Sequence, residues 1–223
     1  MTVKIALLAG LAAAALVALA APASADTATY NASAGLAGNQ NWYGTLGLDF
    51  TVSSGSEIQV TSLGTFDNGA DGISNDINVG IFNRTTGAFV TPVLNLNGTA
   101  NPTGAAYVFR SLVTPIVLGA GSYQLGSWGY NLGSDTNYNN SGPSGPVTFD
   151  SLGGVLTATG TEYSTSAGSL ATIPDNGTTR YGAGSFTANV VPEPAAWAMM
   201  LVGLGGIGVV SRTRRRTTRS AYC

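Results

Sequence analysis

The chain contains no histidine, and its single cysteine, Cys223, is the last residue. Imidazole general bases, thiolate nucleophiles and disulfides are therefore missing from everything upstream, which excludes Ser-His-Asp and Cys-His catalysis and ordinary zinc sites. Lysine occurs once, at Lys4, and charged residues make up only 9% of the sequence. Between residues 26 and 190 there are ten acidic residues against Arg84, Arg110 and Arg180, a balance of −7 that the chain's formal −2 conceals because the other bases lie at the two ends. An acidic, lysine-free segment repels phosphate backbones, so nucleic acid is not an expected partner. The same segment also lacks apolar spacing of helical period.

The ends are of a different kind. Lys4 precedes an apolar run from Ile5 to Ala20, and Ala23-Ser24-Ala25 follows. A basic start, a short apolar core and a small-x-small site are the marks of a secretory signal peptide, residues 1–25, cut by signal peptidase before Asp26. Near the other end, Pro192-Glu193-Pro194 is followed by an uncharged apolar run, 195–210, and then by Arg212, Arg214, Arg215, Arg216 and Arg219. Sixteen helical residues span about 24 Å, a short transmembrane helix with Trp197 near one interface. The arginines are expected on the cytoplasmic side and the segment before Pro192 on the outer side, in agreement with the signal peptide. Gly203, Gly205 and Gly208 spell G-x-G-x-x-G. No acidic residue follows Glu193, so a dinucleotide fingerprint is excluded and the glycines read as small residues of a membrane helix.

Taken in order, Pro192-Glu193-Pro194, Trp197-Ala198-Met199-Met200, the Gly-rich helix and Arg214-Arg215-Arg216 resemble the PEP-CTERM sorting signal, here 191–223. The resemblance implies recognition by an exosortase, a membrane-embedded transpeptidase-like enzyme that removes the tail after export. It also implies a Gram-negative bacterium that makes extracellular polysaccharide. The prolines suit this role physically, since they keep the recognised stretch extended and out of the helix.

Residues 26–190 are rich in Gly, Ser, Thr, Asn and Val and are punctuated by turn-forming clusters. Ile58 and Val60 alternate with polar residues, as do Ile77, Val79 and Ile81. About eight to ten short strands are expected, ending with "GAGSFTANV", which makes an all-β, antiparallel β-sandwich ectodomain of jelly-roll type. The pieces "TLGLDFTV", "LGTFDNGADGI", "INVGIFNRTTGAFV", "AYVFRSL" and "PIVLGAGSY", in this order over roughly 45–130, also resemble a β-sandwich family of unknown function in bacterial surface proteins. That resemblance implies a fold and no activity.

Two loops draw attention. "FDNGADGISNDIN" carries Asp67, Asp71 and Asp76 among Asn and Gly. Crowded hard oxygens in a glycine-bent loop suit structural calcium, though Gly69 and Asn78 stand at ligand positions 3 and 12 of an EF-hand counted from Asp67. The same composition also suits a long strand connection. "GSDTNYNNSGPSG" has Asp135 as its single charge. Tyr138 in it, with Trp42, Tyr43, Trp128 and Tyr130, is a candidate for stacking on sugar rings, the alternative being core packing. The expected protein is a non-enzymatic, exported surface or extracellular-matrix protein, free of cofactors unless calcium binds, and associated with exopolysaccharide or biofilm. The alternative is a secreted carbohydrate-active enzyme acting through a carboxylate pair.

Overall fold

The structure, a computed structural model, describes residues 26–130, 135–140 and 146–192. Within them the chain forms strands β1 (Thr27–Ala28), β2 (Tyr30–Ala32), β3 (Leu46–Val52), β4 (Glu57–Phe66), β5 (Asn78–Asn83), β6 (Leu94–Asn95) and β7 (Tyr107–Leu118). There follow β8 (Gly121–Trp128), β9 (Tyr138–Asn139), β10 (Val147–Phe149), β11 (Leu156–Tyr163), β12 (Ile173–Asp175), β13 (Tyr181–Gly182) and β14 (Gly184–Val191). Every pairing is antiparallel.

Two sheets carry the architecture, one in the order β1-β14-β4-β7 and the other β12-β11-β3-β8-β5-β6. They face each other across the rings of Phe50 and Phe186, whose centroids are 5.1 Å apart. Period-2 alternation decides which residues enter this layer. In β3, Leu46, Leu48, Phe50 and Val52 point into the core. In β5, Val79 and Ile81 do the same, joined by Ile77 from the preceding loop, all three fully buried. Removing the Phe186 ring would cost roughly 3–5 kcal/mol, as large-to-small changes in a close-packed core do.

Pro115 lies inside β7, which a central strand would not tolerate. It is accommodated because β7 is the free edge of its sheet and because the register with β4 shifts there: Ser111 pairs Ser62, whereas Ile116 pairs Val60. The residues between form a bulge on which Val113 stands fully exposed. The sequence segment "AFVTPVLNL" yields only the two-residue β6 and an isolated bridge from Phe89 to Phe82, with their rings stacked at 3.9 Å.

Register also assigns the sandwich two ends. Val191, Glu57, Val52, Gly121 and Leu118 share one end. Phe66, Gly184, Leu46, Ser127, Trp128 and Asn78 approach the other. The eight residues of β14 run between the two ends, about 23 Å at strand rise. Asp26 lies at the first end, where it accepts hydrogen bonds from Thr61 Oγ1 and Asn189 Nδ2. Among the described residues there is no helix long and apolar enough to cross a membrane. The signal peptide and the expected helix at 195–210 lie outside the described residues.

Candidate functional site

The end remote from Val191 collects the polar loops. The loop after β4 closes on itself through Gly72 N, which donates to Asp67 Oδ2 at 2.9 Å, and is tied to the loop between β6 and β7 by Asn101 Nδ2, which donates to the same oxygen at 2.8 Å. Gly72 has φ +97°, and a Cβ there would lie 2.9 Å from Thr99 O, so the backbone conformation and the close approach both require glycine. A second loop, the one after β8, meets the first. Asp135 Oδ2 accepts from Ser74 N at 2.9 Å, and Asn75 Nδ2 donates to Gly129 O at 2.9 Å. Gly129, at φ +102°, is packed so closely that a Cβ would fall 2.2 Å from Asp76 O.

This docking brings three carboxylates together. One oxygen each from Asp67, Asp71 and Asp135 lies within 4.8 Å of the others. Asp67 and Asp135 are each only 1% exposed, whereas Asp71 faces solvent. Burial pushes the Asp135 carboxyl above the ordinary carboxylate range. The charges of Asp67 and Asp71 add to the rise, while the Ser74 backbone and hydroxyl bonds oppose it. Asp67 Oδ1 is buried with no hydrogen-bond partner.

The sequence grouped Asp67 and Asp71 with Asp76, but the structure brings Asp135, not Asp76, beside them. Asp76 instead accepts hydrogen bonds from Asn95 Nδ2 at 3.2 Å and Asn97 Nδ2 at 3.0 Å, fastening the 95–97 turn. Asp135, which takes the third place, is 64 residues from Asp71 along the chain and was visible only as the lone charge of the second loop.

A second polar feature at this end is a cavity of about 150 Å³, lined by Gln40, Trp42, Asn139, Tyr163, Asp175 and Tyr181 among others. Trp42 is fixed by Nε1 donating to Ser164 O at 2.9 Å and by an edge contact with Tyr163. Tyr43 stacks on it with centroids 5.3 Å apart and is 64% exposed. Asp175 accepts from Tyr181 Oη and forms an ion pair with Arg180, whose Nε lies 2.9 Å from Asp175 Oδ2 and donates to Asn139 Oδ1 at 3.0 Å. Burial, with Asp175 adding to it, pushes the Tyr181 phenol up, so it stays a donor.

The other aromatic candidates are placed differently. Trp128 is half-buried beside Phe89, with ring centroids 6.1 Å apart. Tyr138 is half-buried against the core, and Tyr130 is buried with its hydroxyl bonded to Thr65 and Ser127. A buried Tyr130 ring offers no face to an external sugar. The exposed stack is Trp42–Tyr43, and Trp128 and Tyr138 are not part of it.

One constellation escaped the sequence entirely. On the outer face of β3, Arg84 Nη1 contacts Asp49 Oδ2 at 2.6 Å and Glu162 Oε2 at 2.8 Å, and Nη2 contacts Glu162 Oε1 at 3.1 Å. Gln124 Nε2 donates to Asp49 Oδ1 at 2.8 Å. Burial pushes Asp49 up, and the bonds from Gln124 and Arg84 pull it back.

Of the sorting residues, Pro192 is described, exposed and directly after β14, while Glu193, Pro194, Trp197 and Arg214–Arg216 lie outside the described residues, as do Ala23 and Ala25. The family model described as the PEP-CTERM protein-sorting motif matches residues 190–216. The chain thus carries a motif that implies export, transient membrane anchoring and recognition by an exosortase. The match begins inside β14, at Val190, which pairs Ile58. No curated protein and no solved structure matches the chain.

Proposed function

We propose that this is a non-enzymatic protein of the cell surface or extracellular matrix, exported, trimmed by an exosortase and associated with exopolysaccharide through the aromatic cavity of its β-sandwich. The observation that carries the reading is the sorting motif, whose match begins at Val190 within the last strand. The matched motif follows the end of the sandwich marked by Val191, and Tyr43 and the cavity lie towards the opposite end.

The cavity suits a sugar. Aromatic faces stack on pyranose rings while amides and carboxylates accept and donate to hydroxyls. Gln40, Asn139 and Asp175 supply those groups beside Trp42. Its volume is below the roughly 300–1,000 Å³ that encloses a whole ligand, which fits contact with one residue of a surface-lying chain. Asp175 is the single carboxylate of the lining, whereas glycoside hydrolysis ordinarily needs two. Asp49 and Glu162, which do form a pair, share one guanidinium, so their charge is largely spent on Arg84.

The test has two arms. Replacing Pro192, Glu193 and Pro194 by alanines should leave an uncleaved, membrane-bound chain, and normal loss of the tail would refute the sorting reading. The exported protein should bind the polysaccharide released by the producing cells without generating reducing ends, and Tyr43→Ala should weaken that binding about tenfold or more, the value of a lost stacking face. Unchanged binding by Tyr43→Ala would refute the Trp42–Tyr43 stack beside the cavity as the sugar-binding face; new reducing ends would favour the enzyme.

A further inference from the structure

Among the described residues, the acidic group at the loop end has no cation of its own. The described residues contain three bases, Arg84, Arg110 and Arg180. Arg84 is held by Asp49 and Glu162, and Arg180 by Asp175. Arg110 donates to Asn95 O, Asn97 O and Thr99 Oγ1. None is paired with Asp67, Asp71 or Asp135. Three carboxylates whose oxygens lie within 4.8 Å, two of them in near-fully buried side chains, repel one another at a place where water cannot screen them well.

A separate observation shows where the compensation belongs. Asp67 is 99% buried, and although its Oδ2 is saturated by Gly72 and Asn101, its Oδ1 meets no donor at all. A buried charged oxygen without a partner costs several times an ordinary hydrogen bond, so native structures seldom keep one. A bound metal ion satisfies such an atom.

We infer that Asp67, Asp71 and Asp135 bind a calcium ion that fastens the loop after β4 to the loop after β8. With no histidine or cysteine nearby, the donor set is all hard oxygen, which excludes zinc-type softness and leaves calcium or magnesium. With Asp67 Oδ2 taken by Gly72 and Asn101 and Asp135 Oδ2 by Ser74, the three carboxylates still offer up to four of calcium's six to eight oxygens, and the exposed side of Asp71 admits water for the rest. Magnesium gives up its waters reluctantly and rarely accepts so many carboxylates. The site is absent from the proposed sugar cavity's lining and can fail or hold independently of it.

The experiment uses the full chain in detergent, stripped with chelator and titrated with calcium chloride by calorimetry and thermal melting. One equivalent of calcium should bind, and a hundredfold excess over Kd should raise the melting temperature by several degrees. Asp135→Asn should abolish the shift and Asp76→Asn should retain it, which separates this site from a local loop ligand set. Should the buried variants not fold, Asp71→Asn, at an exposed position, must still weaken calcium at least tenfold. Absence of heat and shift in the unaltered chain, an Asp71→Asn affinity unchanged, or a shift given by magnesium and not calcium would each overturn the assignment.

Discussion

Asp49 with Glu162 and Asp67 with Asp135 are two sets of carboxylates in one sandwich, held on opposite terms. The first set lies on the outer face of β3 and β11, and a guanidinium from the end of β5 reaches both members. The second sits at the meeting of two loops and has hydrogen-bond donors but no base. The difference teaches that three bases among the described residues cannot neutralise every carboxylate there, so some are paired and others are not. This chain spends Arg84 on the sheet, where a charge trapped between strands has no other source of compensation. The loop set has no base paired with it among the described residues.

The sharpest way to break the comparison is to take away Arg84. Arg84→Met leaves Asp49, only 6% exposed, and Glu162 as neighbouring anions without a cation. Breaking a buried pair by removing one partner costs about 3–5 kcal/mol, and the 28% exposure of the Arg84 side chain argues for the lower part of that range. About 3 kcal/mol corresponds to a fall of roughly 6–12 °C in melting temperature for a domain of this size. A fall of a degree or less would mean that the clamp is ornamental.

A pH series sharpens the same point with a smaller effect. Burial raises the folded-state pKa of Asp49 above its unfolded value, so the folded chain holds that proton more tightly. The resulting stabilisation is fully present below the unfolded value and is lost as pH rises through the folded one. Without Arg84 the window extends upward, because a cation that favoured the ionised form is gone and Glu162 faces Asp49 alone. The deficit of Arg84→Met should therefore be smaller at about pH 5 than at pH 7. Equal deficits at both values would assign the loss to packing of the arginine stem instead.

How far the sequence foretold this depends on the range over which the physics acts. Alternation is local, and it marked Ile58, Val60, Ile77, Val79 and Ile81, all of which lie in the core between antiparallel sheets. The Pro-Glu-Pro stretch is likewise a local pattern. The Arg84 clamp joins residues 35 and 78 apart, which no spacing rule reaches. Asp76 was a natural third ligand by proximity along the chain, yet Gly129 carries the second loop against Asp76 O and brings Asp135 forward. Strand direction held a usable clue: β4 and β8 both leave their sheets at the same end, so their following loops had to be neighbours. Trp42 and Tyr43 precede β3 and reach that end too, which single residues marked "aromatic" could not reveal.

The smallest expected effect is the most discriminating, because its sign separates the two sets. In chelator, Asp67→Asn keeps an oxygen to accept from Gly72 and Asn101 and places an amide where Oδ1 has no partner. One charge leaves a cluster of three, and the new N–H₂ can donate to Asp71 or Asp135. The metal-free domain should thus melt at the same temperature as the unaltered chain or slightly higher, within about 1 kcal/mol, since loss of repulsion offsets any loss of charge-assisted bonding. Asp49→Asn in the same buffer should do the opposite, because it takes a charge-assisted partner from Arg84. With calcium in excess the Asp67 variant should fall below the unaltered protein, as it can no longer draw on the ion. Paired melting curves of both variants, with chelator and with calcium, decide the matter. If Asp67→Asn destabilises the metal-free domain as much as Asp49→Asn does, the loop carboxylate is structural in its own right and the contrast between the two sets collapses.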